Sequence, residues 1–250
     1  MKGLFITLLM VVSTVLHASE MDSTLNRAEL LYQHNEFTEA SRQYQTVIDS
    51  DWTSAALFYN MGNACFKNHD IKSAILYYER AKRLAPNDED TNWNLQLTRS
   101  LIFDKVEAVP ELFFITWGKN LRDLFSVRAW AWTSIAFFIL TLLTALGFLF
   151  FRKLHLKRIA FPVGVVAFML CIGSLSLGFL QKANVERVDE AIVFVPSVTL
   201  KSSPDDSGNN LFILHEGIKV YITDRVGDWC EVRIADGNKG WMRAKELEVI

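Results

Sequence analysis

Cysteine and histidine are the side chains of this chain best able to hold a metal or carry out redox chemistry, and their spacing favours neither. Cys65, Cys171 and Cys230 lie far apart and form no CxxC pair, and the five histidines are scattered without the Cys/His spacing of a zinc site. We therefore predict that Cys65 and Cys230 fill apolar cores, the alternative being an intermolecular disulfide between copies of the chain. No metal and no cofactor are expected.

Other patterns that support catalysis or nucleic-acid binding are also missing from the sequence. It has no Gly-rich phosphate loop, no Ser/His/Asp order and no paired-carboxylate motif. The formal net charge is −2, and no basic patch interleaved with aromatics occurs away from the apolar centre of the chain. The chain is therefore expected to be a non-enzyme without catalytic residues that does not bind nucleic acid.

The near-neutral net charge conceals an uneven distribution. Residues 19–125 carry 16 acidic and 11 basic side chains, and residues 183–250 carry 12 acidic and 8 basic ones. Between them, residues 126–182 carry 6 basic side chains and no acidic one. This pattern predicts two acidic domains on either side of a basic, apolar segment.

The first residues have the pattern of an export signal. Lys2 precedes an uncharged, mostly apolar run that is short for a membrane span, and Ala18 and Ser19 offer a small-residue cleavage site. We predict a signal peptide over residues 1–18, the alternative being an uncleaved N-terminal anchor. In both cases the segment that follows is exported.

Two long uncharged runs predict a transmembrane hairpin. Residues 129–151 and 159–180 contain no charged side chain, and each is long enough to cross about 30 Å of hydrocarbon at about 1.5 Å per residue. The segment between them, residues 152–158, contains four Lys or Arg residues and is therefore expected to be a cytoplasmic loop. Both acidic domains then face the periplasm of a bacterial inner membrane.

A short amphipathic segment precedes the first span, within residues 106–128. Its apolar residues fall on one helical stripe, namely Phe114, Trp117, Leu121, Leu124 and Phe125. This stripe favours a helix lying in the membrane interface, where it contacts lipid. Packing of the helix onto a soluble domain is the alternative.

The N-terminal acidic domain, residues 19–105, repeats with a period of about 34 residues. The offset aligns Asn26 with Asn60 and Asn94, and places small residues at Gly62 and Ala74 with an aromatic at Tyr78. Small side chains at these points let two antiparallel helices cross closely, a pattern typical of the tetratricopeptide (TPR) repeat. We predict an all-α TPR superhelix with repeats at 21–54 and 55–88 and a capping helix at 89–105.

The concave face of such a superhelix is built from the first helix of each repeat and is the predicted partner-binding groove. Its residues are Leu25, Glu29, Tyr32, Tyr59, Asn63, Phe66, Lys67 and Trp93. The positions that hold Lys or Arg in carboxylate-clamping TPR grooves are here apolar or acidic. The groove is therefore expected to prefer an apolar or basic segment of a partner protein.

After a linker at 181–188, residues 189–250 change to period two, as at Ile218, Val220 and Ile222. The string from Val198 to Pro204 and the later Gly-Asp-Trp and Gly-Trp motifs resemble bacterial SH3 domains, which implies an all-β SH3-like barrel. Trp229 and Trp241 are candidate ligand-facing aromatics, with packing at the core or barrel rim as the alternative.

The order of signal, TPR repeats, transmembrane hairpin and SH3-like domain resembles the BatE proteins of bacterial aerotolerance operons. The strings that carry the resemblance are residues 58–64, 74–81, 84–90 and 191–204. It implies a membrane-bound partner of the von Willebrand factor A-type Bat proteins, encoded alongside a MoxR-type AAA ATPase and active in oxygen or stress tolerance.

Three functional hypotheses follow from the sequence. The first is a scaffold in the inner membrane whose periplasmic TPR groove binds a partner protein. The second is a cell-wall binder whose SH3-like domain holds peptidoglycan peptides. The third is an envelope redox enzyme, which the cysteine spacing disfavours.

Overall fold

The computed structural model describes residues 22–106, 109–110 and 112–250, so the signal sequence predicted at 1–18 lies outside the described residues. The chain divides into two compact units. The first, here called the binding unit, contains the chain up to Ala81, the segment Asp90–Ala108 and the segment Asp189–Ile250. The second, the hairpin unit, contains Lys82–Glu89 and Val109–Val188.

The helical part of the binding unit has the expected antiparallel repeats. Its helices are α1 (22–33), α2 (Phe37–Ile48), α3 (Ala55–Lys67), α4 (Ile71–Leu84) and α5 (Glu89–Arg99). Asn35 and His69, which occupy the same position in successive repeats, both adopt positive φ at the turns that end the first helix of each repeat. Ser54 begins the second repeat by accepting a hydrogen bond from the Leu57 N–H.

Close crossing of α3 and α4 depends on Gly62. A Cβ atom at this position would lie 2.7 Å from two carbons of the Tyr78 ring, closer than packed atoms allow. Ala28, Ala40, Ala74 and Ala81 are also fully buried. Small residues that recur at the repeat spacing therefore set the distance between the helices.

The predicted capping segment, 89–105, is helical only as far as Arg99, and this corrects the sequence prediction. Residues 102–106 continue without regular helix, and their side chains pack against the β domain of the same unit. The sequence signal for the cap came from the repeat offset, which does not by itself mark the residue at which the helix ends.

The β domain of the binding unit is one antiparallel sheet of seven strands in the order β3-β2-β6-β5-β4-β1-β7. The strands are β1 (Glu190–Val193), β2 (Ser197–Lys201), β3 (Asn210–His215), β4 (Lys219–Val226), β5 (Trp229–Arg233), β6 (Lys239–Arg243) and β7 (Leu247–Val249). Alternate residues such as Val220, Val232 and Met242 form the core, as expected from their period of two. Gly240 lets β6 pass Leu200, since a Cβ there would lie 2.8 Å from the Leu200 Cβ.

The hairpin unit contains α6 (Phe113–Asp123), α7 (Val127–Phe150) and α8 (Leu154–Val185). Helices α7 and α8 are long and apolar enough to cross a membrane. The turn between them is shorter than the predicted 152–158, because α8 begins at Leu154 and takes in the basic run as its first turns. Leu, Lys and Arg are good helix formers, so the basic residues after Lys153 can be helical. The loop was predicted from the end of one uncharged run to the start of the next, and that boundary does not mark where a helix begins. Helix α8 also extends to Val185, beyond the predicted end at 180 and into the predicted linker.

Helix α6 carries the amphipathic stripe, and it buries none of its residues. Phe114, Trp117 and Leu121 are all exposed along it, and Leu124 and Phe125 follow it with their side chains exposed. This apolar surface directly precedes the first apolar helix in the chain.

Together these elements confirm the fold class: TPR-like helices, two long apolar helices and a C-terminal antiparallel sheet of the SH3-like kind.

Candidate partner-binding surfaces

All eight predicted groove residues lie on the first helices of the repeats. Leu25, Glu29 and Tyr32 lie on α1, Tyr59, Asn63, Phe66 and Lys67 lie on α3, and Trp93 lies on α5. Glu29, Lys67 and Trp93 are exposed, while the other five side chains are half-buried. The structure places these residues, but their role in binding stays a prediction.

Tyr59 and Asn63 are engaged in a hydrogen-bond network that holds three helices together. The Tyr78 hydroxyl donates to Asn63 Oδ1 at 2.7 Å, and Asn94 Nδ2 donates to the same oxygen at 3.0 Å. Asn94 Nδ2 also lies 3.2 Å from the Tyr59 hydroxyl, to which it donates. Burial raises the pKa of Tyr78, as do the nearby phenols of Tyr59 and Tyr32, so this hydroxyl stays protonated. Asn63 therefore supports the groove as well as lining it.

A cavity of about 240 Å³ opens between α1, α2 and α3. It is lined by Glu29, Tyr32, Gln33, Tyr44, Asn60 and Asn63. Burial, the Glu29 carboxylate and the Tyr32 phenol raise the pKa of Tyr44 to about 12. Three of these side chains belong to the predicted groove, but the prediction missed Gln33, Tyr44 and Asn60. The repeat offset could have indicated Tyr44 and Asn60, because it aligns them with Tyr78 and Asn94.

An exposed apolar stripe runs along and beyond α5. Trp93 is 69% exposed, Leu97 is 43% exposed and Leu101, just after the helix, is 55% exposed. Trp93 and Leu97 lie four residues apart and so share a face of α5, and Leu101 follows in the turn just after the helix. An exposed Trp beside other large apolar residues is unusual on a soluble surface and typical of an interaction site.

The two candidate aromatics of the β domain are both half-buried but have different surroundings. The Arg243 guanidinium lies 4.7 Å from the centre of the Trp229 ring and also forms an ion pair with Asp206 at 2.7 Å. Trp229 is thus covered on one face by Arg243. Trp241 lies opposite Lys201 and Glu231 in the sheet and forms no ring or cation contact with any other residue that the structure describes. Of the two, Trp241 is the more available to a ligand.

The TPR helices and the β domain meet at a junction within the binding unit, which no sequence signal predicted. At its centre is Glu79 of α4, whose carboxylate pairs with the Arg99 guanidinium and lies 3.0 Å from Lys219 Nζ. Lys219 Nζ also lies 2.9 Å from Glu190. Burial alone would lower the pKa of Lys219, but the carboxylates of Glu79 and Glu190 outweigh it and raise that pKa.

Further contacts extend this junction on both sides. Asp104 accepts a hydrogen bond from the His215 N–H at 2.6 Å and pairs with the His215 ring at 2.9 Å. Arg80 donates to the Val249 carbonyl oxygen at 2.6 Å. Gly217, with φ +87°, leaves room for Ile102, since a Cβ there would lie 2.8 Å from the Ile102 Cγ2. Helix α4 is therefore fixed by the β domain as well as by its neighbouring helices.

The cysteines have no redox partner within the described part of the chain, where all three are free thiols. Cys65 and Cys230 are buried in different cores, and burial together with the Asp70 carboxylate raises the pKa of Cys65 to about 12, against a smaller opposing effect of the Ser41 hydroxyl. Among the described residues, no three His, Cys, Asp or Glu side chains gather as a metal site would require.

Comparison with known families agrees with the two folds of the binding unit. The family model of the tetratricopeptide repeat matches residues 55–88. The family model of the bacterial SH3 domain matches residues 196–248. The chain thus contains a TPR repeat and a bacterial SH3 domain. No curated protein matches the sequence.

Proposed function

We propose that this protein is a scaffold anchored in the bacterial inner membrane, with a TPR groove that binds a partner protein. The observation that carries the proposal is the exposed apolar strip formed by Trp93 and Leu97 on α5 and by Leu101 just after this helix. TPR and SH3 domains are binding modules in other proteins, so we also propose that the chain is not an enzyme and needs no cofactor.

The membrane arrangement is part of the proposal. Helices α7 and α8 cross the bilayer, the basic turn at 151–153 faces the cytoplasm, and the binding unit lies in the periplasm. A Lys153→Cys variant in a cysteine-free background tests this orientation. A maleimide that cannot cross membranes should label it only after the inner membrane is opened, and labelling from the periplasm would overturn the assignment.

The module order supports a role in a Bat-type envelope complex. In this role the groove holds a von Willebrand factor A-type Bat membrane protein, whose operon also encodes a MoxR-type ATPase, and the assembly acts in oxygen or stress tolerance. This role is supported by the resemblance of the whole module order to BatE proteins. The TPR and SH3 family matches support the two soluble modules of that order.

Partner recovery from membranes tests the groove. The tagged full-length chain is crosslinked in native membranes, purified and compared with Trp93→Lys and Leu97→Lys variants. Loss of an aromatic anchor costs about 2–4 kcal/mol, so Trp93→Lys should weaken the affinity for the partner by about 30-fold or more and thereby reduce its recovery. Trp52→Lys is the matched control, because Trp52 is also exposed but lies in the turn between α2 and α3. Unchanged recovery with Trp93→Lys would remove the groove assignment.

A second function, binding of peptidoglycan peptides, is favoured by the bacterial SH3 match and by the half-buried Trp241 on the outer face of β6. The full-length protein in detergent micelles should then sediment with purified sacculi, and Trp241→Lys should abolish this. Val226→Lys, a change at an exposed apolar residue of β4, is the control. Absence of sedimentation by the wild-type protein would reject this second function.

A further inference from the structure

The cavity between α1, α2 and α3 has a counterpart one repeat further along the chain. The repeat offset of 34 residues aligns Glu29, Tyr44 and Asn60 with Asn63, Tyr78 and Asn94, respectively. Each set takes one residue from a first helix, one from the second helix of the same repeat and one from the next first helix. The two sets can therefore be compared as two copies of one structural position.

The second copy is closed by its own hydrogen bonds. The amide oxygen of Asn63 accepts from the Tyr78 hydroxyl and from Asn94 Nδ2, at 2.7 and 3.0 Å. Both donors are thereby satisfied within the protein, and little remains there for a ligand to bind.

The first copy is open. In the described part of the chain, no hydrogen bond joins Glu29, Tyr44 and Asn60, and these three side chains instead line the cavity of about 240 Å³. Tyr44 is 2% exposed, and its side chain and that of Glu29 line the same cavity. Burial first, and then the Glu29 carboxylate, raise the pKa of Tyr44. Glu29 forms no ion pair with any described residue, including Lys67, the basic side chain one turn beyond Asn63 on α3.

An unpaired carboxylate in a cavity of this kind favours a cation. A guanidinium or ammonium group can donate to the carboxylate in charge-assisted hydrogen bonds, and the hydroxyls of Tyr32 and Tyr44 and the amide oxygen of Asn60 provide further acceptors. A water takes up about 30 Å³ of liquid, so a cavity of this volume has room for the charged group and part of its alkyl stem. An anion would be repelled by Glu29.

We infer that this cavity is a subsite for one Lys or Arg side chain of the partner segment that lies in the groove. The inference rests on the proposed function and adds a chemical requirement to it. The exposed strip on α5 would hold the apolar part of the segment, while the cavity at the first repeat selects a basic residue.

Fluorine NMR on the full-length protein tests the subsite without the partner. We would place 3-fluorotyrosine at Tyr32, purify the protein in detergent micelles, and titrate it with Nα-acetylarginine methylamide. The matched ligand is the citrulline compound, which has nearly the same shape but no charge. Glu29→Gln removes the carboxylate charge from the cavity, and Glu36→Gln removes a charge from an exposed residue outside it.

The arginine compound should shift the fluorine signal saturably and bind about tenfold or more tightly than the citrulline compound. This preference should be lost in Glu29→Gln and kept in Glu36→Gln. Equal binding of the two compounds, an unchanged preference in Glu29→Gln, or no saturable shift with arginine would each overturn the inference. If the arginine test fails but partner recovery depends on Trp93, the proposed function stands without the subsite. If arginine binds but partner recovery does not depend on Trp93, the subsite stands and the groove assignment is rejected.

Discussion

Replacement of Lys219 by Met should weaken the junction between the TPR helices and the β domain. The change removes the ammonium group that lies between two carboxylates, 3.0 Å from Glu79 and 2.9 Å from Glu190. The Glu79 side chain is only 5% exposed and would lose this partner while it keeps Arg99. A buried carboxylate that loses a partner cannot regain full hydration, so its desolvation is no longer compensated.

The size of the effect follows from this burial. Removal of one partner of a fully buried ion pair costs about 3–5 kcal/mol, whereas exposed pairs contribute about 0–1 kcal/mol. Because Arg99 still neutralises Glu79 and because Lys219 is itself partly exposed, we expect a loss of about 2–3 kcal/mol. Lys72→Met is the matched control at the same junction, since the Lys72–Glu216 pair is much more exposed and should cost less than about 1 kcal/mol.

Hydrogen exchange of the full-length protein in micelles, followed by mass spectrometry, measures the change. A loss of about 2–3 kcal/mol corresponds to about 30- to 150-fold faster exchange of amides that open with the unit. If the junction joins the two domains into one cooperative unit, the acceleration should occur in α4 and α5 as well as in β1 and β4. Acceleration confined to the β domain, or an equal effect of Lys72→Met, would refute this reasoning.

Three further predictions follow from the packing and the protonation of the described residues. Gly62→Ala should destabilise the binding unit by about 1–3 kcal/mol in the same exchange experiment, because the new methyl group overlaps the Tyr78 ring. Gly118→Ala is the control and should have no such effect, because a Cβ atom at Gly118 would have nothing within 4 Å. Burial is the main reason that the pKa values of Tyr44 and Tyr77 are raised from 10.0 to about 12, so the folded state holds these protons more tightly than the unfolded state. The contribution of these two groups to the free energy of unfolding should be fully present below about pH 10 and fall as the pH rises towards 12. An unchanged free energy of unfolding over that range would contradict the assignment. Cys65 and Cys230 should react with a thiol reagent in the binding unit only after denaturation, because both are buried and burial raises both pKa values; fast labelling of either in the native protein would show that its core opens readily.

The repeats were predictable because their signal is local. Close crossing of α3 and α4 requires a side chain as small as Gly62 against Tyr78, and the fully buried Ala28 occupies the same position one repeat earlier. The β domain was predictable for a similar reason, because residues such as Val220 and Val232 must alternate between the core and the outer face. Patterns of this kind are imposed within one or two neighbouring elements.

The junction was not predictable because its partners are far apart in the sequence. Glu79 and Lys219 are separated by 140 residues, and nothing near either one indicates the other. On α4 a lone Glu is expected to face solvent, yet Glu79 is among the buried residues of that helix. The same limit applies to the candidate subsite, where Glu29 was predicted to line the groove but the absence of a pairing cation among the described residues could only be found in three dimensions.

Four consecutive residues of α4 connect the groove to the junction. Tyr77 donates a hydrogen bond to Gln45 of α2, Tyr78 donates to Asn63 of α3, Glu79 pairs with Lys219 of β4, and Arg80 donates to Val249 of β7. One helix therefore supports both surfaces, and a junction variant could be mistaken for a groove variant.

The expected free-energy changes allow a junction variant to be distinguished from a groove variant. If the binding unit has a typical stability of about 5 kcal/mol or more, a loss of about 3 kcal/mol leaves at least about 97% of it folded. Apparent affinity falls only in proportion to the folded fraction, so Lys219→Met should leave partner recovery nearly unchanged while it accelerates exchange. Trp93→Lys should do the opposite, because the side chain is exposed and supports no core. A Lys219→Met variant that loses its partner while its binding unit stays folded would mean that the β domain takes part in binding directly.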